Sequence, residues 1–216
     1  MNNTICILDY GVGNLHSAVK AFRRFSDQVV VCEDAEALPS ASAVVIPGVG
    51  AFAAGMDGLK RRGLVDGVKA FAASGKPLLG ICLGAQLLLS AGHEFGTWDG
   101  LGIIPGSVVP FPKLAAGVKI PHMGWNAISA PQDNEQLWRH SILSSLPRGS
   151  EVYFVHSFLF APERREDVLA VSSYGGYEFP AVLRKGNIYG CQFHPEKSGE
   201  AGLAIIKQFV RAAESA

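Results

Sequence analysis

Short apolar runs alternate along the first hundred residues with stretches in which apolar positions recur every three or four residues. The runs "TICILDY" (4–10), "QVVVCE" (28–33) and "SAVVIPGVG" (42–50) have the length and β-branched content of strands buried on both faces. Between the first two, "NLHSAVKAFRRF" places Leu15, Val19, Phe22 and Phe25 at helical spacing. Two more helical stretches, "FAAGMDGLKRRG" and "LVDGVKAFAASG", lead to a strand "PLLGIC" and a helix predicted over "LGAQLLLSAG" (83–92). This alternation predicts an α/β fold, an open, mostly parallel sheet flanked by helices. From Leu101 to Gly190 the texture changes to short β-rich segments with Pro and Gly turns, which predicts a β-rich extension after the sheet. A last helix, "GEAGLAIIKQFVRAAE", presents Leu203, Ile206, Phe209 and Val210.

Composition narrows the class of partner. With 216 residues, 48% of them hydrophobic, and no linker or repeat, the whole chain, 1–216, is expected to form a single domain. Nineteen basic residues balance nineteen acidic ones without a charged block, so neither nucleic acid nor a membrane surface is the expected partner. No apolar stretch approaches the roughly eighteen residues of a spanning helix, and "MNNTICILDYG" has no signal-peptide pattern. A cytoplasmic location is the expectation. The four cysteines (Cys6, Cys32, Cys82, Cys191) are scattered without a C-x-x-C pair, which argues against a disulfide framework or a cysteine zinc site. Three of them read as small core residues.

Cys82 reads differently, because "GICLG" puts it between Gly80 and Gly84 where a strand gives way to a helix. In open α/β sheets ligands gather beyond the carboxyl ends of the strands. Glycine on both sides permits the sharp strand-to-helix turn that exposes a nucleophile, as in the serine motif G-x-S-x-G. The helix N-terminus beyond favours a thiolate and helps to hold an oxyanion. A cysteine in a glycine-rich core strand is the alternative, and a base decides between the two. "GCQFHPEKSG" supplies one: His194 and Glu196 lie two apart, on the same side of an extended segment stiffened by Pro195. The other five histidines read as satisfied surface or core groups.

"GICLGAQLLL" and "QFHPEKS" together resemble the two signatures of class I (triad-type) glutamine amidotransferases. "LDYGVGNLHS", "IPGVGAF", "GLGIIPG", "PHMGWN" and "YFVHS" extend the likeness from about Ile7 to about Phe209, toward the subgroup of glutaminase subunits of imidazole glycerol phosphate synthase. The resemblance implies a flavodoxin-like amidotransferase fold with no metal or cofactor. It implies that Cys82 attacks the side-chain amide of L-glutamine, that His194 shuttles the proton and that Glu196 orients the imidazole. Backbone N–H groups of Leu83 and of Gly48, Val49 and Gly50 would hold the oxyanion, the latter by a peptide that flips on activation. Gln86, Glu94, Ser157 and Phe158 would contact the substrate. Trp125, Gly11 and Asn14 would face a cyclase partner, a (β/α)8 barrel, in a heterodimer. Ammonia is useful only as a neutral nucleophile, so its release must be joined to its use by a dry passage, and that implies a partner.

Two residues depart from the family's pattern. Ala85 stands where a larger residue such as Met is frequent, which would widen the space beside Cys82, and Phe158 stands where Tyr is common. Gly11, Gly13 and Glu33 imitate a dinucleotide fingerprint, but His16 occupies its third glycine position and excludes that reading. Three alternatives remain at this stage. One is a paralogous subunit feeding ammonia to a surface-sugar (lipopolysaccharide) synthase, another a non-catalytic regulatory binding module, and the third a cysteine hydrolase acting on peptides.

Overall fold

A computed structural model describes residues 3–215. The chain begins with β1 (Ile5–Leu8), α1 (Leu15–Phe22), β2 (Val29–Cys32) and β3 (Ala43–Ile46), followed by α2 (Phe52–Arg61) and α3 (Leu64–Ala73). It then forms β4 (Leu78–Ile81), α4 (Leu83–Gln86), β5 (Leu89–Gly92), β6 (Trp98–Asp99), β7 (Ile104–Pro110) and β8 (His122–Ser129). The remainder supplies β9 (Glu151–His156), β10 (Phe158–Pro162), β11 (Val168–Tyr174), β12 (Tyr177–Lys185), β13 (Ile188–Cys191) and α5 (Gly199–Glu214).

Nine strands form one sheet in the order β2-β1-β3-β4-β13-β12-β11-β8-β9. From β2 to β13 the neighbours run parallel, and from β13 to β9 antiparallel. The β-rich extension therefore prolongs the main sheet, and a second sheet of order β10-β7-β5-β6 lies apart from it. The apolar first strands follow from burial on both faces: Ile5 and Ile7 point into one core cluster, Cys6 and Leu8 into the other. The first cluster takes in α1 and α5, with Phe22 and Phe209 edge to face at 6.1 Å. The second takes in Met56 and Leu59 of α2 and Leu64 and Val68 of α3.

The predicted helix over 83–92 is only α4, and Leu89–Gly92 is a strand. The carbonyls of Leu87, Leu88 and Leu89, which a longer helix would use internally, accept instead from the N–H groups of Leu101, Gly102, Ile103 and Ile104. Tertiary pairing thus overrides a good helical sequence. The cysteines hold a second surprise, because Cys6 and Cys32 are joined across β1 and β2 while Cys82 and Cys191 are free. Both are core residues as expected, but the reading against disulfide pairing fails for them. Both occupy one face of adjacent strands, with Cα atoms 5.8 Å apart. No helix among the described residues is long and apolar enough to cross a membrane.

Candidate active site

Strand order brings the two ends of the chemistry together. β4 and β13 are parallel neighbours with Ile81 opposite Cys191, so the segments leaving both strands emerge side by side. One begins with Cys82 and the other reaches His194. The Cys82 N–H donates to the Cys191 carbonyl at 2.7 Å, fastening the turn to the neighbouring strand.

Cys82 adopts φ 52°, ψ −110°, a strained conformation for a side-chain-bearing residue. The turn closes only because its flanks lack side chains. A Cβ on Gly84 would collide with the Ile46 carbonyl oxygen, and one on Gly80 would stand 2.5 Å from Ala85 Cα. Leu83 opens α4, so its N–H has no acceptor inside the helix. The Cys82 thiol lies 3.8 Å from the Val155 carbonyl, to which it donates.

His194 and Glu196 do not share an extended segment as expected. Pro195–Lys197 is a single 3-10 turn, which folds the carboxylate back so that His194 Nδ1 and Glu196 Oε1 meet at 2.8 Å. Both side chains are buried. The His194 N–H donates to Tyr153 O at 3.0 Å, and Ser198 Oγ donates to the His194 carbonyl at 2.6 Å, so the backbone around the ring is held from two sides. Burial lowers the pKa of His194, but the nearby Cys82 sulfur and the Glu196 carboxylate outweigh it and hold the ring up to about 9. Nε2 makes no hydrogen bond of full geometry, and the nearby Cys82 sulfur is its poised partner. With Nδ1–H committed to Glu196, Nε2 is the ring atom left to exchange a proton.

A cavity of about 600 Å³ opens over the sulfur. Cys82, Leu83, Val49, Gly50, Gln86, Glu94, Ser157 and Phe158 all line it. Gly48 lies behind the wall, where an added Cβ would come within 2.8 Å of Gly84 N. Glu94 is half-buried at the mouth, and its Oε2 accepts the Phe52 N–H at 2.7 Å, capping α2. Ala85 does not widen the cavity: its Cβ is packed 3.2 Å from where one on Gly190 would lie, on the sheet side of α4. Gly11, Asn14 and Trp125 lie outside the lining. Asn14 Oδ1 caps α1, accepting from Ser17 N at 3.3 Å, and Trp125 is half exposed on β8, its ring 6.0 Å from that of Tyr153. A larger cleft of about 750 Å³, lined in part by Leu137, Arg165 and Tyr177, shares no residue with this one and contains no cysteine or histidine. Chemistry, not size, selects the smaller.

Sequence reasoning missed several neighbours. Tyr10, fully buried, donates its hydroxyl to Pro47 O at 2.6 Å and so fastens the start of the Gly48–Gly50 loop; burial raises its pKa. His156 lines the cavity and sits 3.0 Å from His122 in an aromatic box of Phe154, Tyr174 and Phe179. Burial pushes His156 down to about 3, against its bond to the Phe158 carbonyl. Gln192 stands between Gln86 and the sulfur, fully buried. A polar residue within an apolar strand exit was its visible signal, overshadowed by His194.

Residues 6–213 match the family described as Glutamine amidotransferase class-I. The chain is 49% identical to Imidazole glycerol phosphate synthase subunit HisH 1 of Legionella pneumophila (strain Lens), over 97% of this chain and 99% of that one. It is 43% identical to Imidazole glycerol phosphate synthase subunit HisH of Moorella thermoacetica, over 95% of this chain and 93% of that one. A crystal structure of a glutamine amidotransferase superposes with a TM-score of 0.73 at 20% identity, covering 98% of this chain and 99% of that one, a likeness of fold.

Proposed function

The chain belongs to the class-I glutamine amidotransferase family, and from that membership we propose that it is the glutaminase subunit of imidazole glycerol phosphate synthase, acting in histidine biosynthesis. Relatives at 41–49% identity over nearly their full length carry that name, which favours this pathway over surface-sugar modification. The observation that carries the chemistry is a cysteine on a strained elbow, beside a buried histidine that a carboxylate orients.

In this reading L-glutamine enters the cavity, His194 Nε2 takes the Cys82 thiol proton, and the sulfur attacks the side-chain amide carbon. Leu83 N–H and a peptide of the Gly48–Gly50 loop hold the oxyanion. The C–N bond breaks as His194 delivers its Nε2 proton to the leaving nitrogen, giving ammonia and a glutamyl thioester. His194 then takes a proton from water, the hydroxide displaces sulfur, and glutamate departs. Glu196 holds the ring orientation and offsets its charge. Gln86, Glu94, Ser157 and Phe158 hold the amino-acid head group, Glu94 with the carboxylate oxygen not spent on α2.

As a synthase subunit the chain works with a cyclase. The finer reading is a single amidotransferase domain docked on a (β/α)8 barrel as a heterodimer in the cytoplasm. Exposed Met123 and Trp125 on β8, with Ile120 at the cavity rim, support a docking face that includes Gly11 and Asn14. Glutamate release is to be measured for the chain alone, with the cyclase, and with the cyclase plus its ribonucleotide substrate. Strong stimulation in the complete mixture is expected, because the oxyanion site is completed on activation. Equal release in all three refutes the coupling.

A further inference from the structure

The amide of Gln192 has an orientation that its surroundings dictate. The Phe158 carbonyl is an acceptor only, and it already receives His156 Nδ1 at 2.9 Å. The Gln86 atom facing it, at 3.5 Å, must therefore be the donor Nε2. That same Nε2 lies 3.1 Å from the Gln192 side chain, which must present its oxygen there. The opposite end of the Gln192 amide, the NH₂, is thereby directed at Cys82 Sγ, 3.9 Å away. Each step follows from a donor meeting an acceptor, starting from one backbone oxygen. Gln192 is fully buried, and its backbone N–H is fixed to Ala181 O at 2.9 Å, so the amide has little freedom to turn over.

We propose that Gln192 is a positioning residue for the nucleophile: its N–H donor stabilises the Cys82 thiolate, and its bond to Gln86 ties glutamine recognition to the state of the sulfur. Two contacts compete for that sulfur. The Val155 carbonyl accepts from the thiol and favours the protonated form, whereas an N–H donor is satisfied best by the anion. Gln86 lines the cavity with its carboxamide oxygen uncommitted to either of these bonds, so a substrate donor there polarises the amide whose N–H grips Gln192. The two glutamines then form a short relay from substrate to nucleophile, parallel to the His194–Glu196 pair.

This inference rests on Cys82 being the nucleophile, and the test separates the two. The full-length chain is alkylated with chloroacetamide across pH, the labelled peptide identified, and the profile compared with those of Gln192→Leu and Gln192→Glu. The Leu variant is expected to move the profile up by about one pH unit, as the loss of one charge-assisted bond implies. The Glu variant is expected to move it further, because a carboxylate repels the thiolate. In the cyclase complex, Gln192→Leu is expected to lower kcat about tenfold with KM changed less than about twofold, a split that marks a transition-state contact. Superimposable alkylation profiles overturn the inference, and label on a residue other than Cys82 in the native chain overturns the nucleophile reading and this inference with it. Should both variants fail to fold, the side-chain amide resonance of Gln192 in the native chain decides: it is expected to titrate in step with Cys82 alkylation, and a resonance that stays fixed overturns the role.

Discussion

At the scale of single residues, the site is an arrangement of opposed histidines. His194 is held up to about 9 against an ordinary value of 6.5, and His156 is pushed down to about 3. A raised folded pKa stabilises below the unfolded value, so the contribution of His194 is complete below 6.5 and lost as pH rises through about 9. A lowered one stabilises above the unfolded value, so that of His156 is complete above 6.5 and lost as pH falls toward 3. Denaturant midpoints measured across pH are therefore expected to peak near 6.5 as far as this pair governs them. In Glu196→Gln the alkaline decline should be shallower and end at lower pH, because a neutral amide holds the imidazolium less well; an unchanged alkaline limb rejects that account. Cys82→Ala is expected to cut glutamate release by about three orders of magnitude or more while leaving affinity for the cyclase intact. Glutamate assays and calorimetric titration check both halves, and residual turnover near the native level removes Cys82 from the nucleophile position.

At the scale of elements, legibility followed locality. The first strands and α1 were readable because their patterns depend on their own residues: an apolar run buried on both faces, and an apolar stripe at helical spacing. "GICLG" was readable as an elbow because the two glycines answer to contacts within a few residues or with one adjacent strand, Ala85 Cα and the Ile46 carbonyl. The run "LLLSAG" was misread because what makes it β5 is the row of N–H groups from Leu101 to Ile104. The same blindness hid Gln192, whose partners Gln86 and Cys82 are over a hundred residues away in sequence. Glu94, which the resemblance implies as a substrate contact, also fixes the first turn of α2. The packing of α5 on α1 gives a direct check of the element reading. Phe209 is fully buried against Phe22, so Phe209→Ala is expected to cost about 3–5 kcal/mol, read from chemical denaturation. A loss below about 1 kcal/mol contradicts a closed α1–α5 seam.

At the scale of the whole molecule, one strand decides when the candidate site is complete. β13 enters last among the strands yet lies mid-sheet, between β4 and β12, and it carries the segment bearing His194 to the side of Cys82. Until it is inserted the elbow has no neighbour to accept the Cys82 N–H and no imidazole beside its sulfur. During synthesis Cys82, the proposed nucleophile, leaves the ribosome more than a hundred residues ahead of His194, its proposed base. A growing chain, or one arrested before residue 188, lacks His194, so under the proposed mechanism it is not expected to release ammonia before a cyclase can receive it.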